Sequence, residues 1–244
     1  MTSKTNTTGS RRRWASWRTL LSIMALTLAN WMNAQVTVTI SANPSASANV
    51  PLGASSYHVG EHIFLASEIG QDFTINQINF NMTTLGGTPA VNTFNNVALY
   101  LRYTASTTFT TGAYTTAGYT LVYNGTMAWS ATGFTGVLLT TPFVYTQASG
   151  NLQLLVVRTD NAPHGGAIFA TANGNSSGAA LTTSRRYNGL GAPVSGTTSL
   201  TASNFRTAIQ LVNVPVCSGT PAPGNTTATV AGACTGQNFS VGLQ

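Results

Sequence analysis

An all-β chain, folded as an antiparallel two-sheet β-sandwich of jelly-roll type, is what the sequence predicts, and three observations predict it. Charged residues make up 6% of the 244 positions, so Lys and Glu, which build most solvent-facing helices, are nearly absent. Apolar residues recur with period 2 in short segments, and no stretch holds a 3.6-residue amphipathic period long enough to insist on a helix. Clusters such as Leu85-Gly-Gly-Thr-Pro89 and Asn173-Gly-Asn-Ser-Ser-Gly178 punctuate those segments with turn chemistry. About ten short strands between residues 35 and 214 then fit two stacked sheets in one domain.

The first segment belongs to export rather than to the fold. Lys4, Arg11, Arg12, Arg13 and Arg18 precede a short apolar run over residues 19–31, and small or polar residues, Asn33-Ala34-Gln35, follow it. A basic n-region, an apolar core shorter than the ~20 residues of a membrane-spanning helix, and a small-residue end describe a secretory signal peptide over residues 1–34. Cleavage after Ala29 is the alternative to cleavage after Ala34. The Arg11-Arg12-Arg13 run leaves a twin-arginine route open beside the general one, and an uncleaved segment would act as an anchor. Removal of residues 1–34 leaves five arginines (102, 158, 185, 186 and 206) against Glu61, Glu68, Asp72 and Asp160. A nearly neutral mature chain offers no footprint for phosphate backbones, so nucleic acid is excluded as a partner despite the isoelectric point near 9.8.

The strands follow in order. Residues 35–40 alternate as the first mature strand, and 63–66 form the next. Over residues 73–82, Phe73 and Ile75 are in phase, and Ile78, Phe80 and Met82 are shifted by one. That shift predicts a bulge or tight bend near Asn76-Gln77. Residues 97–103 place Val97, Leu99, Leu101 and Tyr103 on one face. Residues 119–123, 136–139 and 143–146 are three more candidates. Residues 152–158 are apolar at nearly every position, as a strand covered on both faces must be. Residues 167–171 and 207–212 complete the set. After Val214 three prolines in residues 215–225 mark a linker. Residues 226–244 begin a second β unit too small to bury a core of its own, so the chain reads as the front of a longer modular protein.

Five segments occur in order: Ile63-Phe-Leu-Ala-Ser-Glu-Ile69, Ile75-Asn-Gln-Ile-Asn-Phe80, Leu121-Val-Tyr-Asn-Gly125 ahead of Thr141-Pro-Phe-Val-Tyr145, Asn151-Leu-Gln-Leu-Leu-Val156 and Arg206-Thr-Ala-Ile-Gln-Leu211. Through them residues of about 50 to 214 resemble the jelly-roll modules of large secreted and surface proteins from gliding, type IX-secreting bacteria. Cys217-Ser-Gly-Thr-Pro221 and Cys234-Thr-Gly236 are similar to the opening of the Cys-containing Ig-like repeats that often follow such modules. What the resemblance implies is an address and an architecture: such modules accompany adhesins, enzymes and sheath proteins without being catalytic themselves.

Few residues are available for chemistry. His58-Val-Gly-Glu-His62 matches the H-x-x-E-H pattern of inverted zinc peptidases. That chemistry needs a helix, however, whereas Gly60, Val59 and Ile63 favour extended chain. Residues four apart in a strand stand about 13 Å apart, so His58 and His62 are read as loop or strand-edge residues without zinc. Glu61, Glu68 and Asp72 cluster in sequence and are read as solvated turn residues rather than as a glycosidase pair. No Gly-rich stretch runs into Lys-Ser or Lys-Thr. His164 reads as structural, Arg185-Arg186 as a solvated loop pair, and Cys217 with Cys234 as a disulfide in an exported chain.

Binding rests on the aromatics, because sugar-binding modules stack apolar sugar faces on exposed rings. Trp129 is the sole tryptophan left after the signal, and it is read either as a loop-borne platform beside Tyr100 or Tyr187 or as a plug at the end of the sandwich. The expected function is a non-catalytic structural or adhesive module of a secreted, multi-domain surface protein. The alternative is a carbohydrate-binding accessory module of an extracellular enzyme. Either way the expected partner is a surface glycan or an extracellular protein, with no cofactor and no membrane span after signal cleavage.

Overall fold

Two twisted antiparallel sheets of seven strands each pack face to face. In the computed structural model the described residues are 35–41, 46–47, 49–172, 182–203 and 205–214, together with the backbone of residues 226–228 and 241–243. One sheet contains β1 (Val36–Ile40), β2 (Ala46–Ser47), β4 (Phe73–Thr84), β8 (Gly133–Tyr145), β10 (Ile168–Ala172), β13 (Arg206–Thr207) and β14 (Ile209–Asn213). The other runs in the order β6 (Gly112–Ala113), β12 (Ser199–Ser203), β11 (Ser184–Gly189), β3 (Tyr57–Phe64), β9 (Asn151–Arg158), β5 (Thr93–Thr104) and β7 (Thr120–Ala128). Neighbours in each sheet are mostly distant in sequence, so the chain crosses between sheets repeatedly. Residues 36–214 form one compact unit. In the other, residues 226–228 and 241–243 pair as β15 and β16. The signal segment and both cysteines, Cys217 and Cys234, lie outside the described residues.

The core follows from strand alternation. Phe73, Ile75, Ile78, Phe80 and Met82 of β4 face Val97, Leu99 and Leu101 of β5 and Leu152, Leu154 and Val156 of β9, all of them buried. Burying such side chains contributes about 1.5–3 kcal/mol each before the entropy of ordering is set against it. The phase shift in β4 is a real irregularity: Ile75 pairs with Phe143 and Gln77 with Leu138, so residues 139–142 of β8 bow out opposite Asn76. Pro142, which has no N–H to give, falls in that unpaired stretch. The sequence split β8 into two segments at this interruption, yet it is one strand. Asn76 itself turns its amide to the end of β14, where Oδ1 accepts from Val214 N at 2.6 Å and Nδ2 donates to Val214 O at 2.5 Å.

β9 is covered on both faces, as its apolar run requires. Leu152, Leu154 and Val156 enter the main core, while Leu155 joins Val59, Leu200 and Tyr114 in a second cluster on the outer face, with Tyr100, Tyr119 and Tyr187 packed against it. The second strand departs from expectation: β3 starts at Tyr57, and residues 66–69 form a one-turn helix, α1 (Ala66–Ile69). Glu68 accepts from Leu65 N at 2.8 Å at its start, and Gly70, with φ 75°, ends it. Gly136 of β8 tolerates no side chain. A Cβ on Gly136 would lie 1.8 Å from Ile78 O and 2.5 Å from Asn79 Cα, backbone atoms that cannot yield. Gly136→Ala is therefore expected to lower stability by about 3 kcal/mol, measured by urea unfolding; a loss below about 1 kcal/mol would show that β4 and β8 are not in this register.

Candidate functional site

Residues with chemistry converge on the β3 strand, which alternation divides between two environments. In an antiparallel ladder directly opposed residues share a face. Glu61 pairs with Leu155 and Arg185, whereas Gly60 pairs with Val156 and Arg186. Glu61, Val59 and Ile63 therefore point outward, and His58, Gly60 and His62 point between the sheets. The H-x-x-E-H residues are thus on opposite faces, and the glutamate is not beside the imidazoles.

Outside, the Glu61 carboxylate is fully buried under a cover of loops. Tyr119 donates to its Oε1 at 2.7 Å, Gln153 Nε2 approaches at 3.4 Å, and Arg185 Nε donates to Oε2. Burial, and then the neighbouring Glu61 charge, pushes the Tyr119 phenol far above its ordinary range. Arg102 lies 4.1 Å from the Tyr119 ring centroid and donates to Gln153 at 3.0 Å. Glu61 is the polar centre of the second cluster rather than a solvated turn residue. Arg185-Arg186 is likewise no loop pair: both lie in β11, Arg185 outward on Glu61 and Arg186 inward.

Inside, both imidazoles are fully buried in a central strand, not at its edge. Their α-carbons are separated as extended chain demands, yet the rings lean together over the bare backbone of Gly60. The point where a Gly60 Cβ would sit is 2.8 Å from His58 Nε2 and 3.1 Å from His62 Nε2. Burial, reinforced by Arg158, Arg186 and the other ring, holds His58 well below its ordinary pKa. Burial, with Arg206 and Arg186, holds His62 down at about 3. The Pro51 backbone is a hydrogen-bond partner of His58, and no other described residue meets the ring nitrogens of either histidine. Among the described residues no three His, Cys, Asp or Glu side chains are grouped to hold a metal ion.

The remaining acids are engaged in structure. Glu68 receives both ends of the Arg206 guanidinium at 2.7 Å, with that guanidinium 4.9 Å from the Phe64 ring centroid. Asp160 pairs with Arg158 and with His164 Nε2 at 2.8 Å. His164 Nδ1 reaches Val91 O at 3.0 Å, and its ring stacks on Phe94 at 4.1 Å. Asp72 accepts from Gln147 N at 2.7 Å. No family model, curated protein or solved structure matches the chain. Function must therefore be read from these residues alone.

The aromatic candidates are not brought together. Trp129 belongs to the main core, 4% exposed, with ring centroids 5.8 Å from Phe94 and 5.1 Å from Phe169. Tyr100 of β5 and Tyr187 of β11 lie on the outer face of their sheet, packed on the second cluster, with Tyr100 edge-on to Tyr119 and Tyr187 donating to Gly191 O at 2.8 Å. A platform of Trp129 with either tyrosine is ruled out by this separation. Trp129 does line a cleft of about 520 Å³ with Gly86, Gly87, Pro89 and Asn92. Asn92 is committed to the cleft wall, accepting from Gly86 N at 2.7 Å and donating to Thr88 O at 3.1 Å.

The sequence contained a signal for the inward histidines. Tyr57, Val59, Glu61 and Ile63 alternate with His58, Gly60 and His62, a period of 2 that continues the strand six residues upstream of the segment expected. The polar character of the second set obscured it. Arg158 and Arg206, both fully buried hubs, left no trace beyond their strand positions.

Proposed function

We propose that residues 36–214 are a non-catalytic structural or adhesive module of a secreted, multi-domain surface protein. The observation that carries this reading is the commitment of the acids. Glu61, Glu68 and Asp160 each sit in a buried ion pair with an arginine, and Asp72 holds a loop amide. Proton transfer at a reacting bond needs a group within reach of substrate and free to change its protonation. Four acids held this way serve the scaffold. The surface adds a second support: Leu138 is 63% and Val144 64% exposed on β8, and residues 103–157 carry no charge at all. An uncharged, partly apolar face suits contact with another uncharged surface. Among the described residues no helix is long and apolar enough to cross a membrane.

The carbohydrate-binding reading has one observation in its favour, the cleft beside Trp129. Trp129 is only 4% exposed, so little of its ring is open for a sugar to stack on, and Trp129→Ala would remove core packing of about 3–5 kcal/mol along with any contact. Trp129→Phe keeps most of that packing and is the variant to use. Beads coated with the purified protein are expected to adhere to extracellular surface material, while polysaccharide, peptide and ester substrates are left unchanged. Reproducible turnover abolished by Glu61→Gln or Glu68→Gln would overturn the non-catalytic reading. Glycan-array binding lost in a folded Trp129→Phe variant would establish the accessory role instead.

A further inference from the structure

The space between β3, β9 and β11 holds more hydrogen-bond donors than acceptors. His58 and His62, neutral at pH 7, bring one N–H and one lone pair each. Arg186 projects onto the same face opposite Gly60, and its Nη1 is buried with no described acceptor. Its guanidinium lies 5.5 Å from the Phe205 ring centroid, a contact that offers no counter-charge of its own. Arg186 is half-buried, but its Nη1 is shut off from solvent, and a desolvated cationic N–H without an acceptor is costly.

No carboxylate side chain of the protein is left to supply one. The whole sequence contains four acidic residues. Glu61 faces the other side of the sheet with Arg185, Glu68 takes both ends of Arg206, Asp160 holds Arg158 and His164, and Asp72 accepts from Gln147 N. The fully buried arginines, Arg158 and Arg206, are thereby neutralised, as is Arg185, and Arg186 is not.

We propose that Arg186, His58 and His62 form an interior site for one small monovalent inorganic anion of the halide class, accepting from Arg186 Nη1 and from the imidazole N–H groups. The absence of a side chain at Gly60 is what lets both rings turn toward it. Chemistry distinguishes this occupant from its rivals. A water molecule could meet the hydrogen bonds but would leave the Arg186 charge uncompensated. A metal ion would have two imidazoles, no third ligand and a guanidinium beside it.

The test uses the full mature chain at pH 7, with sodium chloride replacing sodium gluconate at constant ionic strength. The wild type is expected to gain several degrees in Tm across the series, because a ligand that binds only the folded state stabilises it by mass action. Arg186→Met is expected to lose that gain. Crystals grown with bromide should show an anomalous peak within hydrogen-bonding distance of Arg186 Nη1, and this measurement decides the matter on the wild type even where Arg186→Met fails to fold. An equal chloride response in wild type and variant overturns the site. So does a bromide crystal with water alone, or a metal, at that position.

Discussion

Lowering the pH from 7 to 4.5 is expected to destabilise the sandwich by about 3 kcal/mol through His62, with His58 adding to the loss. In the unfolded chain both imidazoles titrate near their ordinary value of 6.5, whereas folding holds His62 at about 3 and His58 well below 6.5. Above pH 6.5 neither state is protonated and the pair has no effect on stability. Below it the unfolded chain takes up protons that the folded chain refuses. Stability therefore falls with falling pH, by about 1.4 kcal/mol per unit for each histidine, until the folded pKa is reached. That is a large share of the 5–15 kcal/mol typical of a whole domain, roughly its acid limit. Urea unfolding at a series of pH values measures the slope. His62→Leu should remove its share of the slope and the double variant with His58→Leu should remove this component. A slope unchanged in the double variant would show that carboxylates alone govern acid unfolding.

Replacing Arg158 by Met is expected to cost about 3–5 kcal/mol, near the top of the range for a single substitution. Arg158 is fully buried at the end of β9, and its guanidinium gathers two loops. Nε donates to Leu52 O at 2.8 Å, Nη1 to Ala162 O at 2.8 Å and to Asp160, and Nη2 to Ser55 O. The variant would strand three carbonyls and leave the Asp160 carboxylate with His164 and the amides of Asn95 and Ala162. Lysine should not restore the loss, because one ammonium cannot reproduce a planar fork aimed at four oxygens. Chemical denaturation of Arg158→Met and Arg158→Lys checks both statements. A loss under about 1 kcal/mol in either would mean that these loops are held by their own turns and not by the arginine.

The sequence made the apolar half of the fold legible and hid the polar half, for one physical reason. Period-2 reading works where burial selects apolar residues, as in β4, β5 and β9, and even the slip at Asn76 shows because both flanks must return to the core. β3 and β11 bury their inward faces through His58, His62, Arg186 and Asn188, whose types are normally solvated. Such strands read as loops, since the contacts that make burial tolerable come from residues far away in sequence. Glu68 with Arg206 shows this: its two members are 138 residues apart. Trp129 is ambiguous for the opposite reason. A tryptophan between strands satisfies either a ligand or a core, and only the positions of Phe94 and Phe169 distinguish the two.

The pairing of β1 with β14 decides how the module would respond to tension. Val36 lies opposite Asn213, so the chain enters and leaves the sandwich on adjacent strands at the same end. A pull applied to Val36 and Val214 acts along the rungs of that ladder rather than across them, and antiparallel rungs loaded in this way open one after another. Each contributes about 1 kcal/mol, so unzipping meets a series of small barriers instead of one large one. The Asn76 amide, bonded to both polar groups of Val214, bears the load at the exit before the first rung of β14. Under force the module would yield early at β1 and lengthen, acting as a compliant link, while β4, β5 and β9 remained folded.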